Sequence, residues 1–139
     1  MNVYINLPVA DLGRSRAFFE ALGFAFNDRF CDGTAIAMTL NETSSAMLLT
    51  HEKYATFTPR RIADTSQTSE VLIALQLDSR DAVDAMVAAA LASGGGTVRE
   101  PEDHGFMYGH AFADPDGHVW EPFWMDPARM QASQMEAAT

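Results

Sequence analysis

The sequence predicts an α+β fold in which two β-α-β-β-β modules form a curved mixed sheet around a cavity. Three observations predict it. The order strand, helix, three strands runs over about residues 1–50 and restarts over about 70–126. The strand-to-helix junctions line up: Leu7-Pro8-Val9-Ala10-Asp11 matches Leu75-Gln76-Leu77-Asp78-Ser79, each ending on a side chain suited to cap a helix. Between them, residues 51–69 are mostly polar and without a clear period, which reads as a connecting loop or a lid. With 139 residues, 47% of them hydrophobic, the chain is long enough to bury a core as a single domain over 1–139.

In the first module, Val3 to Val9 alternates loosely and predicts a strand. Asp11 caps a helix from about Leu12 to Leu22, with Ala17, Phe18, Ala21 and Leu22 on its apolar face and Gly23 ending it. Phe24, Phe26 and Phe30 predict a strand, followed by an Asp32-Gly33 turn. Strands over Thr34–Leu40 and Ala46–Thr50 flank a turn at 41–45. In the second module, Val71–Leu77 is a strongly apolar strand. Asp78 or Ser79 caps a helix over about Arg80–Ala92, whose buried stripe is expected to be Ala82, Val83, Met86, Val87, Ala90 and Leu91. Gly94-Gly95-Gly96 follows a helix and does not precede one, so it reads as a cap and turn, not a phosphate loop. Thr97–Arg99 begins a strand, Asp103-His104-Gly105 is a loop, and the stretch after Asp126 reads as a weak helix or frayed end.

The most informative stretch is His110 to Glu121, a hairpin around Asp114-Pro115-Asp116-Gly117. If Asp114 and Gly117 close the turn, His110 faces Glu121 and Phe112 faces Val119. Tyr108, His110, Phe112, Val119, Glu121 and Phe123 then share one face, an imidazole and a carboxylate among aromatics, which suits a ligand pocket. A one-residue slip would separate the pair. His118 beside the turn is expected to be exposed, His51 opens the long loop, and Arg60 or Arg61 there could serve an anionic ligand.

Charge and cysteine usage exclude some classes. Nine Lys and Arg against nineteen Asp and Glu give a formal net charge of −10, too acidic for phosphate neutralisation by a nucleic-acid binder or for an anionic membrane surface. No apolar run approaches the roughly 20 residues of a membrane span, and the first residues lack a basic region followed by a long apolar run. The single cysteine, Cys31, fits a reducing compartment, so a cytoplasmic location is expected.

Leu7-Pro8-Val9-Ala10-Asp11-Leu12, Arg16 to Phe19, Leu22-Gly23-Phe24, and Phe112-Ala113-Asp114-Pro115-Asp116-Gly117-His118 with Trp120-Glu121 resemble the vicinal oxygen chelate superfamily, which includes glyoxalase I, extradiol dioxygenases and bleomycin-resistance proteins. The resemblance covers nearly the whole chain and implies a homodimer. It also implies a divalent-metal site at Tyr4, about Leu48, about Leu72 and Glu121, of which only Glu121 is an ordinary ligand. The usual metal site is therefore expected to be absent, with no cofactor.

Three readings follow. The first is binding of a small molecule in a pocket without the usual metal, lined by Tyr108, Phe112, Phe123, Arg60, Tyr4, Leu48 and Leu72; the acidic composition suits a cationic ligand. The second is a lyase- or isomerase-type enzyme in which Glu121 orients His110. The third is a divalent-metal glyoxalase- or dioxygenase-type enzyme with nonstandard ligands.

Overall fold

A computed structural model describes residues 1–129. The first module contains β1 (Val3–Val9), α1 (Leu12–Ala21), β2 (Ala25–Phe26), β3 (Ala35–Asn41) and β4 (Ser44–Thr50). A short helix α2 (His51–Tyr54) opens the connecting segment. The second module contains β5 (Leu72–Gln76), α3 (Arg80–Ala92), β6 (Gly96–Thr97), β7 (Glu102–Asp103), β8 (Met107–Gly109), β9 (Phe112–Ala113) and β10 (Val119–Met125).

The two sheets repeat one topology. The first has the order β1-β4-β3-β2, with β1 and β4 parallel and the other pairs antiparallel. In the second, β5 lies parallel to β10, and β10 pairs antiparallel with β8 and β9. Those two continue to β7 and β6 respectively. The predicted fold class holds, as does the repeat behind it.

Local chemistry explains most boundaries. The Asp11 carboxylate accepts the Arg14 N–H at 3.0 Å and the Ser79 hydroxyl accepts the Ala82 N–H at 3.0 Å, so both helices start at the predicted residues. The strand expected over Phe24–Phe30 is cut short. Asn27 accepts the Arg29 N–H through its side chain and starts a 3-10 turn over Asp28–Phe30, which leaves Phe30 exposed. Most of the stretch after Asp126 lies outside the described residues.

One core serves both modules. Leu7, Phe19, Met38 and Leu48 from the first pack with Ile73, Val87, Phe112 and Trp120 from the second. Phe19 lies edge-on to the Trp120 indole at 5.1 Å between ring centroids. On each sheet the residues alternating with this core set, such as Tyr4 and Asn6 or Glu121 and Phe123, face away from the helices.

Candidate functional site

The hairpin register differs from the expected one by a single residue. Ala113 pairs with Val119 and Phe112 with Trp120, while the Asp114 N–H donates to the His118 carbonyl at 2.9 Å. The loop holds three residues, not two. Gly117 N–H donates to the Asp114 carbonyl at 2.9 Å, closing a tight turn, and Gly117 itself takes φ +89°. This is a three-residue hairpin with glycine at the left-handed position. Phe112 and Tyr108, now opposite Trp120 and Trp124, move to the other face as a result.

The shift corrects several expectations. His110 lies opposite Pro122, to whose carbonyl its N–H donates at 3.0 Å, and makes no ion pair with Glu121. Phe112 is wholly buried in the core. Tyr108 is also buried: its hydroxyl donates to Asp84 Oδ1 on α3 at 2.5 Å, and the Arg80 guanidinium sits 4.4 Å from the ring centroid. The bond to Asp84, with burial, pushes the Tyr108 hydroxyl up to about 12. Leu48 pairs with Leu7 in the core and faces no pocket. The counterpart of Glu121 is Met47, since Glu121 pairs with Ala74 and Met47 with Asn6 at equivalent points of β5 and β1. Tyr4 and Leu72 are 60% and 58% exposed on the outward faces of their strands. Arg60 is exposed in the connecting segment and does not line the Glu121 cavity.

What gathers around Glu121 is a different set. A cavity of about 220 Å³ is lined by Glu121, Phe123, His110, Arg99, Glu102 and Met107, among others. The Arg99 guanidinium lies 2.5 Å from Glu121 Oε2 and its Nε lies 3.3 Å from Glu102 Oε1. His104 Nε2 is 3.3 Å from the other Glu102 oxygen. His110 Nδ1 accepts the Ala111 N–H at 2.9 Å, so a neutral ring carries its proton on Nε2. Arg99 was not legible as a site residue: it lies 22 positions from Glu121, between β6 and β7, and the β6–β9 and β7–β8 pairings together bring it alongside the hairpin.

The donor set does not fit a divalent cation. Of Tyr4, Met47, Leu72 and Glu121, only the carboxylate is a ligand for a hard cation, and it already faces a guanidinium. Among the described residues, no group of three His, Cys, Asp or Glu side chains is placed to hold a metal ion.

The Asp-Pro-Asp-Gly-His stretch joins the modules. Asp114 accepts the Asp116 and His118 N–H groups through Oδ1 and the Trp120 indole N–H through Oδ2, all at 3.0 Å. Burial pushes its carboxyl up, against the pull of His118 and these donors. Asp116 accepts the Ala10 N–H at 2.8 Å and the Ser15 hydroxyl and Arg14 guanidinium at 3.3 Å, at the start of α1. Contrary to expectation, His118 is buried, 3% exposed, with Nε2 2.7 Å from the Pro8 carbonyl and Nδ1 2.7 Å from Glu70 Oε1.

This fold and these motifs agree with the comparisons. The glyoxalase/bleomycin resistance protein/dioxygenase superfamily model matches residues 3–121, and the chain belongs to that superfamily. Hypothetical protein SA1046 from S. aureus is 27% identical, with a TM-score of 0.76 over 87% of this chain and 91% of that one. A glyoxalase/bleomycin resistance protein/dioxygenase family enzyme from Burkholderia phytofirmans PsJN is 21% identical, with a TM-score of 0.74 over 88% and 96%. The bleomycin resistance determinant encoded on transposon Tn5 is 19% identical, with a TM-score of 0.60 over 88% and 96%. The last two show the fold alone. Among curated proteins, none matches the chain. Among the described residues, no helix is long and apolar enough to cross a membrane.

Proposed function

We propose that the chain binds a small cationic molecule in the Glu121 cavity, without a protein-bound divalent metal or other cofactor, as a cytoplasmic single-domain homodimer. The observation that carries this is the Arg99–Glu121 pair, which puts an internal cation on the one metal-type ligand. Arg99 neutralises only one of the two carboxylates it touches, so the cavity keeps a negative balance beside the apolar wall of Phe123 and Met107. That combination suits an ammonium group carried on an aromatic or aliphatic body. The family supports the homodimer, and so does the exposure of Tyr4 and Leu72, which a second copy would cover.

His110 on the same cavity wall supports a second reading, acid–base catalysis on the bound molecule with Glu121 released from Arg99. In that case turnover dies in both His110→Ala and Glu121→Gln.

The test is calorimetric titration with phenethylamine and with phenylpropionate, its anionic counterpart, alongside elemental analysis of the purified protein. The amine is expected to bind and the acid not. Glu121→Gln weakens the amine at least about tenfold by removing its counter-charge. Arg99→Gln strengthens it while leaving the fold intact, because an ion pair this accessible adds little to stability. A stoichiometric divalent ion that is lost in Glu121→Gln would overturn the metal-free reading.

A further inference from the structure

A larger cavity, about 440 Å³, opens on the other face of the sheets, between the edges of β1 and β5. Its walls are Val3 and Ile5 from β1, Ile73 and Leu75 from β5, Phe24 after α1 and Met86 from α3. Among the described residues that line it none is ionisable; the polar side chains are Asn41, Ser44 and Gln76. Ile5, Phe24, Leu75 and Met86 pack against the core yet stay partly open to water.

The two strands bounding the gap are sheet edges. Among the described residues β1 pairs only with β4, and β5 only with β10. Val3 N–H donates to Thr43 and Leu77 N–H to Phe123, which fixes the alternation along each strand. The N–H and C=O groups of Tyr4 and Asn6, and of Ala74 and Gln76, therefore turn to the free edges.

We propose that this cavity is a second binding site, for an uncharged molecule with an aliphatic body and one polar end, the chemistry of a medium-chain alcohol. The volume falls in the range of small-molecule pockets, roughly 300–1,000 Å³. Aliphatic walls gain by exchanging water for an apolar chain. A carboxylate or ammonium would enter without a counter-charge and lose its hydration, and the net charge of −10 further disfavours an anion. A hydroxyl finds neutral partners in Asn41, Ser44, Gln76 and the strand edges. The site opens at the free edges of β1 and β5, with Ile73, Leu75 and Met86 on the helix side, whereas Glu121 and Phe123 line the opposite face of β10; Ala74 borders both cavities, and the two share no charged side chain.

The test titrates 1-decanol, decanoate and decylammonium into the protein by calorimetry and thermal melting. Decanol is expected to bind saturably and raise Tm, with both ions at least about tenfold weaker. Val3→Asp, at a position already 46% exposed, places a charge at the mouth and abolishes decanol binding with an unchanged circular dichroism spectrum. Met86→Trp narrows the cavity and weakens decanol measurably, with the circular dichroism spectrum unchanged. Phenethylamine binding at the Glu121 cavity is unchanged in both. The proposal is overturned by absence of saturable decanol binding, by decanoate binding as tightly as decanol, or by full binding in both variants. It is equally overturned if Val3→Asp turns a dimer into a monomer in sedimentation velocity, because the groove is then an interface between copies.

Discussion

Asp114 does architectural work in a stretch whose aspartates and histidine suggest chemistry. Its two oxygens take three N–H donors, one of them the indole of the fully buried Trp120. Asp114→Ala leaves those donors unpaired, each costing about 1–3 kcal/mol, so a loss of roughly 3 kcal/mol or more is expected in urea denaturation. The pH dependence follows from burial, which holds the carboxyl above its ordinary range in the folded state. The folded chain then binds this proton more tightly than the unfolded chain. Its favourable contribution is full below the ordinary carboxylate pKa and is lost as pH rises through the raised value. The stability gap between the protein and Asp114→Asn should therefore be widest near pH 3 to 4, on the order of the unfolded carboxylate pKa, and narrow towards neutrality. A gap that widens with rising pH would contradict this. Asp103 has the opposite sign: the Arg80 guanidinium beside it holds its carboxyl low, so its contribution is present above the ordinary value and lost on acidification.

At the scale of elements, what was legible was whatever a local interaction decides. Both long helices begin where Asp11 and Ser79 cap them, and α3 covers the predicted Arg80–Ala92. The hairpin was legible as a hairpin, but its register depended on loop length. Asp-Pro-Asp-Gly is compatible with a two- or a three-residue loop, and the Asp114 side chain favours the longer one by bonding the His118 N–H. That one residue moved Phe112 and Tyr108 into the core and parted His110 from Glu121. The glycine at the turn offers a check. Gly117 and Gly94 both have positive φ, +89° and +104°. A Cβ on Gly94 meets nothing within 4 Å, whereas one on Gly117 meets Thr65 Oγ1 at 2.9 Å and its carbonyl at 3.0 Å. Gly94→Ala should cost about 1–3 kcal/mol from backbone strain alone. Gly117→Ala should cost clearly more in the same denaturation measurement, because the Thr65 backbone cannot yield as a flexible side chain would.

For the whole molecule, the repeat decided where a site can be, while long-range pairing decided its contents. Glu121 was legible from the family motif. Arg99 was not, because its approach depends on β6 joining β9 and β7 joining β8, and neither residue carries a local sign of the other. The same long-range logic governs how the modules are held together. The turn of the second module reaches the first through Asp116 on Ala10, Ser15 and Arg14, and through His118 on Pro8. If this clasp couples the modules, damage to the turn must be felt at the far end of β1. Asp116→Ala removes the acceptor for the Ala10 N–H and the negative charge at the start of α1. Hydrogen exchange should then show the Ala10 amide and the first turn of α1 opening faster, while β3 and β4 keep their protection. Unchanged exchange at Ala10 would mean that the shared core of Phe19, Met38 and Trp120 holds the modules in register by itself.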